Sequence, residues 1–207
     1  MTEVAPLVYV VDDDFGFREA ICRFLRSIGY DALGFASVDE FVKHSRFARP
    51  SCLLLDVRMP GRSPFEFQCE LRRSHDNIPI VFITGYGDVP MSVRAMRNGA
   101  ISFLLKPFRE QDLLDAIRDG IDQDRSRRQA EQSAADVHAC VNSLSRRERQ
   151  ILSYVCRGRM NREIAKELGL QEVTIKMHRA NAMRKMKTRS VAELVEKTRD
   201  IDLYLAE

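Results

Sequence analysis

The sequence predicts an α/β domain built on a five-stranded, doubly wound parallel sheet, followed by a small all-α domain. Short apolar runs alternate with helical patterns five times within residues 7–121. Such alternation demands a parallel sheet with helices on both faces. From residue 145 onward the pattern is helical only, with glycines between short helices. The 207 residues and the 44% hydrophobic content suffice for two modest domains.

Each predicted strand is a short apolar run that stops at polar residues or at a turn. The runs are Leu7–Val11, Tyr30–Phe35, Cys52–Leu55, Ile80–Ile83 and Ile101–Leu105. The continuous apolar runs at Leu7–Val11 and Cys52–Leu55 indicate strands buried on both faces. The third run ends at Asp56, and Pro60-Gly61 then breaks the chain into a turn. Asp56 is therefore expected at the carboxyl end of a central strand.

The helices of this domain are predicted from apolar spacing and from capping residues. Phe15–Ile28 has apolar residues at helical spacing and is followed by Gly29 at a C-cap position. Ser37–Glu40 is a capping box that opens a second helix. Three further helices are predicted at Phe65–Arg73, Pro90–Arg97 and Arg109–Ile121.

Four of the predicted strands end in charged or hydroxyl side chains: Asp12 with Asp13, Asp56, Thr84 and Lys106. Ligands bind at the carboxyl edge of an open parallel sheet, so these side chains are expected to share one crevice. Converging carboxylates repel one another unless a cation neutralises them, and hard oxygen ligands suit Mg²⁺. One carboxylate could then attack phosphorus while Lys106 and Thr84 hold phosphoryl oxygens. A purely structural charge cluster is the alternative.

These residues, in this order, resemble the receiver domains of bacterial two-component response regulators over residues 7–122. The matching motifs are Asp12-Asp13, Asp56 before Met59-Pro60-Gly61, Thr84-Gly85 and Lys106-Pro107-Phe108. The resemblance implies a flavodoxin-like fold. It also implies that Asp56 accepts a phosphoryl group from a sensor histidine kinase in a reaction that depends on Mg²⁺.

The resemblance assigns roles to further residues of the crevice. The implied Mg²⁺ ligands are Asp13, Asp56 and the backbone carbonyl of Arg58, with Asp12 assisting through water. Phe103 matches the aromatic switch position, which turns inward when the Thr84 hydroxyl moves toward the phosphoryl group. The protein would catalyse only its own phosphotransfer and a slow aspartyl-phosphate hydrolysis, so it would not be an enzyme. A phosphohydrolase is the rival interpretation, but the sequence shows no second acid or base for repeated turnover.

The segment Thr84–Met91 is similar to that of the FixJ subgroup within the LuxR/FixJ family. Its two glycines give a loop that can move, which suits a region that reports phosphorylation. Arg62 and Pro64 depart from the methionine and glycine of many relatives. Because proline fixes a backbone angle, the loop beside Asp56 is expected to be stiffer and the phosphoryl lifetime atypical.

Residues 1–122 are predicted as the first domain, 123–143 as a partly helical linker and 144–207 as the second domain. Asp122–Gln129 contains no apolar residue and is expected to be exposed or flexible. A heptad-like stripe follows at Ala130, Ala134, Val137, Val141 and Leu144. Two heptads fall short of a coiled coil, so docking against a neighbouring domain is the favoured interpretation.

The second domain has the outline of a helix-turn-helix. The capping box Ser145–Glu148 opens its first helix, and Asn161 is predicted to cap a short helix at Arg162–Leu168. Gly169 then turns the chain into a third helix at Glu172–Lys187. A further capping box at Ser190–Glu193 opens a last helix, a candidate packing or dimer surface.

The third helix has an apolar side and a basic side. Ile175, Ala182 and Met186 fall near one line at about 100° per residue and mark the core. From Ile175 to Arg189 inclusive there are six Lys and Arg residues and no acidic residue. Such a face can enter the major groove of duplex DNA. An RNA-binding or protein-binding output is the alternative, but no aromatic platform for single-stranded RNA is evident.

Residues 144–200 resemble the LuxR-type DNA-binding domain. The matching residues are Leu144, Glu148, Gly158, Asn161, Ile164-Ala165, Leu168-Gly169, Thr174-Ile175-Lys176 and His178. The implied DNA contacts are Thr174, Lys176, His178 and Arg179, with Lys185 and Arg189 toward phosphates. Helix geometry adds Met177, Asn181 and Arg184 to the same face. Gln171 replaces the usual serine cap, which implies a shifted helix start or a cap weaker by about 1 kcal/mol.

The distribution of charge along the chain agrees with two domains that bind different partners. Residues 1–124 contain 15 Lys and Arg against 19 Asp and Glu, whereas residues 125–207 contain 18 against 11. An acidic half suits a cation site and a basic half suits a polyanion, although a basic face can also be merely solvated.

The five cysteines have neither zinc-ligand spacing nor the even number of a disulfide framework. We interpret them as reduced cytosolic thiols. The sequence shows no signal-peptide pattern and no apolar run of roughly 18 residues, so a cytoplasmic protein without a membrane partner is expected.

Together these features predict a transcription regulator switched by phosphorylation of Asp56. The expected partners are a sensor histidine kinase, double-stranded promoter DNA, RNA polymerase and a second copy of the chain. Phosphorylation is expected to promote pairing through the region Val89–Ile121 and thereby binding to promoters.

Overall fold

The computed structural model describes residues 4–74 and 76–199. Its strands are β1 (Leu7–Val11), β2 (Asp31–Phe35), β3 (Ser51–Asp56), β4 (Ile80–Thr84) and β5 (Ser102–Leu105). The helices that alternate with them are α1 (Phe15–Ser27), α2 (Val38–Lys43), α3 (Pro64–Arg73), α4 (Val89–Arg97) and α5 (Glu110–Asn142). The remaining helices are α6 (Arg146–Cys156), α7 (Asn161–Leu168), α8 (Glu172–Lys185) and α9 (Val191–Lys197).

The five strands form one parallel sheet in the order β2-β1-β3-β4-β5. The register sets Val11 beside Leu55, Asp56 beside Ile83 and Thr84 beside Leu105. The carboxyl ends of β1, β3, β4 and β5 therefore meet at one edge. The predicted five-stranded, doubly wound sheet is confirmed.

Alternation along the central strands builds a core on each face of the sheet. Leu7, Tyr9 and Val11 of β1 join one cluster of buried residues, and Val8 and Val10 join the other. Side chains of successive strand residues point to opposite faces, so a continuous apolar run fills both layers. This burial holds the strand ends in a rigid frame.

Gly120 lets α5 lie close to the sheet. A Cβ atom at this position would lie 2.7 Å from the Sγ atom of Cys52 and 3.4 Å from the Cβ atom of Pro79. Carbon and sulfur atoms in ordinary contact are separated by roughly 3.5 Å or more, so the first distance is a clash. The absent side chain therefore sets the spacing between helix and sheet.

Gly120→Ala is expected to lower the free energy of unfolding by about 1–2 kcal/mol, because overpacking outweighs the better helix propensity of alanine. Urea unfolding of the full chain would measure the change. Combining it with Cys52→Ala should restore part of the loss by removing the sulfur atom. A single variant that is more stable than the parent would contradict the clash.

The linker predicted at residues 123–143 is helical up to Asn142, because α5 runs without a break from Glu110 to Asn142. Most of residues 122–129, which were expected to be exposed or flexible, are exposed, and their charges pair along the helix. Asp124 is buried, forms ion pairs with Arg127 and Arg128, and accepts a hydrogen bond from the Ser51 backbone N–H at 2.9 Å. Ion pairs at three- and four-residue spacing stabilise this part of the helix, which has no apolar residue.

By residue contacts the chain divides into two compact units between Gln129 and Ala130. The second unit has its own core, formed by residues from the last turns of α5 and from α6 to α9. In the described ranges 4–74 and 76–199, no helix is long and apolar enough to cross a membrane.

One predicted cap in this unit is wrong. Asn161 was expected to cap α7, but the cap residue is Met160, whose backbone N–H donates to the Glu163 carboxylate at 2.9 Å. The Asn161 side chain instead accepts a hydrogen bond from Arg179 at 2.9 Å. The Asn161 side chain therefore forms a contact between two helices and not the cap that the local sequence pattern predicts.

Candidate functional site

The Lys106 ammonium joins two carboxylates at the carboxyl edge of the sheet. Its Nζ atom lies 2.7 Å from Asp12 Oδ2 and 3.1 Å from Asp56 Oδ1. Asp12 and Asp56 are 1% and 4% exposed, so both charges are held out of solvent. The second oxygen of Asp12 accepts the Asp14 backbone N–H, and that of Asp56 accepts the Arg58 N–H, each at 2.9 Å. Strand ends distant in sequence thus form one charged cluster.

Burial raises the pKa of Asp56, and the Lys106 hydrogen bond and charge offset this effect only in part. For Lys106 burial opposes the charged form, but hydrogen bonds to Asp12 and Asp56 raise its pKa overall. The lysine is therefore held as a cation, whereas the carboxylate of Asp56 is incompletely neutralised. A further cation beside Asp56 would favour its ionised, nucleophilic form.

The predicted Mg²⁺ ligands fit that need chemically. Within the described part of the chain, no group of three or more His, Cys, Asp or Glu side chains is arranged to hold a metal ion. Mg²⁺ usually takes one or two carboxylates and keeps several waters, so Asp13, Asp56 and the Arg58 carbonyl are a suitable donor set. Both oxygens of Asp12 already accept hydrogen bonds. This arrangement favours the indirect role assigned to Asp12, and the set as a whole stays a prediction.

Thr84 ends β4 beside this cluster and is fully buried. Its hydroxyl donates to the Tyr86 carbonyl at 3.2 Å and accepts the Tyr86 N–H at 3.3 Å. Phe103, the predicted switch residue, is half-buried and packs on the core, with its ring centroid 6.4 Å from that of Phe82. The hydroxyl is thus held by its own loop in this structure.

Gly87 connects Thr84 to the predicted switch. A Cβ atom there would lie 2.6 Å from Leu105, 2.8 Å from Phe103 and 3.1 Å from Thr84. Gly87 is one of the two glycines expected to let this loop move; it packs closely on these three side chains, and the mobility of the loop stays a prediction. Any movement of Thr84 or Phe103 therefore presses on the loop that leads into α4.

The residues that depart from the resemblance have local partners. Pro64 is the first residue of α3, after the cap residue Ser63, where its fixed backbone angle favours the helix. Arg62 pairs with Glu70, and its guanidinium lies 5.4 Å from the Phe67 ring centroid. Both departures therefore anchor the start and one face of α3, and the atypical phosphoryl lifetime stays a prediction.

The basic face of α8 is oriented as predicted. Ile175, Ala182 and Met186 are buried. The candidate DNA contacts divide into an exposed group, Lys176, Met177 and Arg184, and a half-buried group, Thr174, His178, Arg179, Asn181 and Lys185. The helix begins after Gln171, whose side chain makes no capping hydrogen bond to the described backbone, as its identity suggested.

Several of these side chains have partners within the domain. Lys176 pairs with Glu172 at 3.1 Å, and Arg184 donates to Asn181 at 3.0 Å. Lys185 donates to the buried Glu148 at 2.6 Å. This last contact, which the sequence did not predict, ties the half-buried Lys185 to Glu148 of α6 within the same domain. Its assignment to DNA phosphates stays a prediction, and the structure supplies a competing partner.

Glu148 links the first helix of the domain to α8. Its carboxylate accepts the Ser145 backbone N–H at 2.8 Å as part of the predicted capping box, which is confirmed, and also holds Lys185. Burial opposes ionisation, but the hydrogen bonds from Lys185 and Ser145 outweigh it and lower the pKa of Glu148.

Glu148→Gln is expected to lower the free energy of unfolding by about 1–3 kcal/mol at neutral pH, because a buried charge-assisted hydrogen bond is lost. A group with a lowered folded pKa stabilises above its ordinary pKa of 4.5 and loses this effect as the pH falls through the folded value. Thermal melting at several pH values should therefore show the deficit shrinking below pH 4.5. The exposed control Glu196→Gln should change little, and an equal deficit in both variants would contradict the assignment.

Comparison with known proteins identifies both units. Residues 8–118 match the family described as response regulator receiver domain. Residues 142–198 match the bacterial regulatory proteins of the luxR family. This chain belongs to the LuxR family of response regulators. The predicted resemblance to receiver and LuxR-type domains is therefore confirmed.

Relatives of this response regulator match over nearly its whole length. Nodulation protein W of Bradyrhizobium diazoefficiens is 44% identical, over 91% of this chain and 83% of that protein. The response regulator TodT of Pseudomonas putida is 41% identical, over 96% and 87%. The solved structure of the response regulator StyR is similar with a TM-score of 0.88 and 48% identity, over 95% of this chain and 100% of that one.

The LuxR family response regulator is thus a DNA-binding regulator of transcription in a two-component phosphorelay. Its receiver domain implies a kinase as phosphodonor, and its luxR domain implies DNA as ligand. Receiver domains generally use Mg²⁺, and regulators of this architecture are typically not enzymes.

Proposed function

We propose that Asp56 is the phosphoacceptor and that Lys106 stabilises the phosphoryl group on it. The observation that carries this proposal is the half-buried Lys106 ammonium, which contacts both Asp12 and Asp56. In the reaction an oxygen of Asp56 attacks phosphorus, and the bond from phosphorus to the donor breaks. Lys106 remains to offset the charge that the phosphoryl oxygens bring.

Asp13, Asp56 and the Arg58 carbonyl would hold Mg²⁺ in this reaction, with Asp12 assisting through water. The ion supplies positive charge that neutralises the phosphoryl oxygens. The Thr84 hydroxyl gives up its bonds to Tyr86 and turns to a phosphoryl oxygen. The protein performs this transfer on itself, together with a slow hydrolysis of the aspartyl phosphate, and has no other catalytic activity.

Phosphorylation would be transmitted through Gly87 to a dimer surface on α4 and β5. A moving Thr84 presses on the loop at Gly87, which already touches Phe103 and Leu105. Four large apolar side chains of this surface are exposed: Val89, Val93, Met96 and Leu105. A second copy that covers them removes apolar area from water, so a small shift of α4 can decide between monomer and dimer.

Dimerisation would convert phosphorylation into affinity for DNA. Two α8 helices held by one dimer can enter successive major grooves about 10 base pairs apart, and the second contact then forms within the complex. The predicted contacts are Thr174, Lys176, Met177, His178, Arg179, Asn181, Arg184 and Lys185. RNA polymerase would read the bound state at the promoter. The free thiols and the DNA ligand favour the cytoplasm as location.

The dimer surface can be tested with a charge at Val93. Acetyl phosphate with Mg²⁺ is expected to convert the parent from monomer to dimer in sedimentation velocity. Val93→Asp should be phosphorylated to the same extent yet stay monomeric, because the carboxylate would be buried at the interface. Val42→Asp places the same charge on an exposed position of α2 and should dimerise like the parent. Full dimerisation of Val93→Asp would exclude this surface.

A further inference from the structure

The ammonium of Lys106 has a third contact besides its two carboxylates. Its Nζ atom lies 3.8 Å from the centroid of the Phe17 ring. An ammonium carries three N–H donors, and the face of an aromatic ring bears partial negative charge. Asp12, Asp56 and the Phe17 ring can therefore receive one N–H each.

The position of the Phe17 ring is fixed by a hydrogen bond to its backbone and by packing of the ring itself. Phe17 is the third residue of α1, and its backbone N–H donates to the carboxylate of the cap residue Asp14 at 3.1 Å. Its ring packs partly buried on the core and meets Phe108 edge to face, with centroids 6.2 Å apart and an interplanar angle of 82°. The ring therefore does not depend on Lys106 for its place.

Two residues of the acidic run after β1, Asp12 and Asp14, contribute to the position of the Lys106 ammonium. Asp12 holds the ammonium directly, and Asp14 fixes the helix turn that carries the ring beside it. Helix capping alone would leave the residue at position 17 unspecified, since any apolar side chain would fill that part of the core. The close approach of Nζ to the ring face is what distinguishes phenylalanine from leucine here.

We propose that Phe17 is a positioning residue for phosphoryl transfer, whose ring face holds the Lys106 ammonium between Asp12 and Asp56 and excludes water from its third side. This inference rests on the proposed roles of Asp56 and Lys106. An ammonium so held needs no rearrangement when the phosphoryl group arrives on Asp56. A leucine would fill the core but leave that side of the cation to water.

The test compares rates of phosphorylation by acetyl phosphate, in which acetate leaves as Asp56 binds phosphorus. Phe17→Leu is expected to slow the reaction about three- to tenfold, the range of a partly desolvated cation–π contact. Phe17→Tyr keeps the ring face and should stay within about twofold of the parent. Phe24→Leu makes the same exchange at a half-buried position of the same helix and core, and its rate should equal that of the parent.

Two further readouts separate positioning from packing. In nuclear magnetic resonance spectra, the ring-current shift on the Lys106 side chain should be present in the parent and Phe17→Tyr and absent in Phe17→Leu. In a Lys106→Ala background, Phe17→Leu should cause no further slowing, because the ring then has no cation to hold. Slowing of equal size in that background, or a normal rate in Phe17→Leu alone, would overturn the proposal. Phosphorylation that persists in Asp56→Asn would instead refute the proposed phosphoacceptor, whichever residue stands at position 17.

Discussion

Asp56→Asn is expected to abolish phosphorylation and phosphodonor-driven dimerisation while the fold stays intact. The amide has nearly the same shape as the carboxylate but offers no anionic oxygen to attack phosphorus. Intact mass spectrometry after treatment with acetyl phosphate and Mg²⁺ should show the added phosphoryl group in the parent and not in the variant. Sedimentation velocity on the same samples should show the dimer only in the parent.

The direction in which Asp56→Asn changes the stability of the folded protein can also be predicted. Because burial raises the pKa of Asp56, ionisation of this group costs stability as the pH rises from the ordinary value of 3.8 through the folded value. Asparagine never ionises, so without Mg²⁺ the variant should melt at or above the temperature of the parent at neutral pH. Lys106 keeps Asp12 as a partner and is not left unpaired.

Asp39→Asn is the matched control for this experiment, because it makes the same exchange at an exposed position of α2, outside the region Val89–Ile121. It should be phosphorylated and dimerise like the parent. Equal phosphorylation of Asp56→Asn and the parent would show that another residue accepts the phosphoryl group. A variant that fails to dimerise but is also unfolded would fail the melting comparison and would contradict the predicted intact fold.

Lys176→Ala is expected to weaken binding of the phosphorylated protein to its DNA site about tenfold or more, the range of one good base contact. Lys176 is exposed and flanks the face of α8 that lies opposite the buried residues. Its ion pair with Glu172 is a surface contact between residues four positions apart in the same helix. A duplex selected from a random pool by the phosphorylated parent provides the ligand. Gel-shift titration at fixed salt measures the affinity.

The salt dependence distinguishes the two ways in which Lys176 could act. A base contact would weaken the selected duplex more than a random one, whereas a phosphate contact would weaken both and reduce the salt slope by about one. Lys43→Ala removes an exposed lysine from α2 and should leave both affinities unchanged. If Lys176→Ala bound DNA with unchanged affinity, the assignment of the DNA-binding face to this side of α8 would be wrong. Tighter binding to RNA than to duplex DNA would contradict the DNA ligand itself.

The fold of the first unit was predictable because its signals are local. A parallel strand buried on both faces needs a continuous apolar run, and the run must stop where the strand leaves the core. The stops at Asp12, Asp56, Thr84 and Lys106 therefore gave both the strand ends and the candidate site. The helix caps at Ser37 and Ser145 were equally clear from the sequence, since each side chain accepts the backbone N–H of the residue three positions later.

Side chains that meet across elements were not predictable in this way. The continuous helix α5 passes through a segment without apolar residues because Asp124 is buried against β3 and paired with two arginines. Asn161 is a residue type that often caps helices, but its side chain instead accepts a hydrogen bond from Arg179 on another helix. The two glycines of Thr84–Met91 predicted a loop that can move, but they gave no sign that Gly87 packs on Phe103.

Hydrophobic periodicity and the residues at strand ends are enough to establish that this chain joins a parallel-sheet domain with a charged crevice to a basic helix-turn-helix. These properties depend on neighbours a few positions apart along the chain. Other features depend on contacts between segments that are distant in the sequence. They are the carboxylates that contact Lys106, the partner of Lys185 and the position of α5 on the sheet. Only the packed cores bring those atoms within 3 or 4 Å of one another, so the contacts of Phe17 and Glu148 became visible in the folded protein alone.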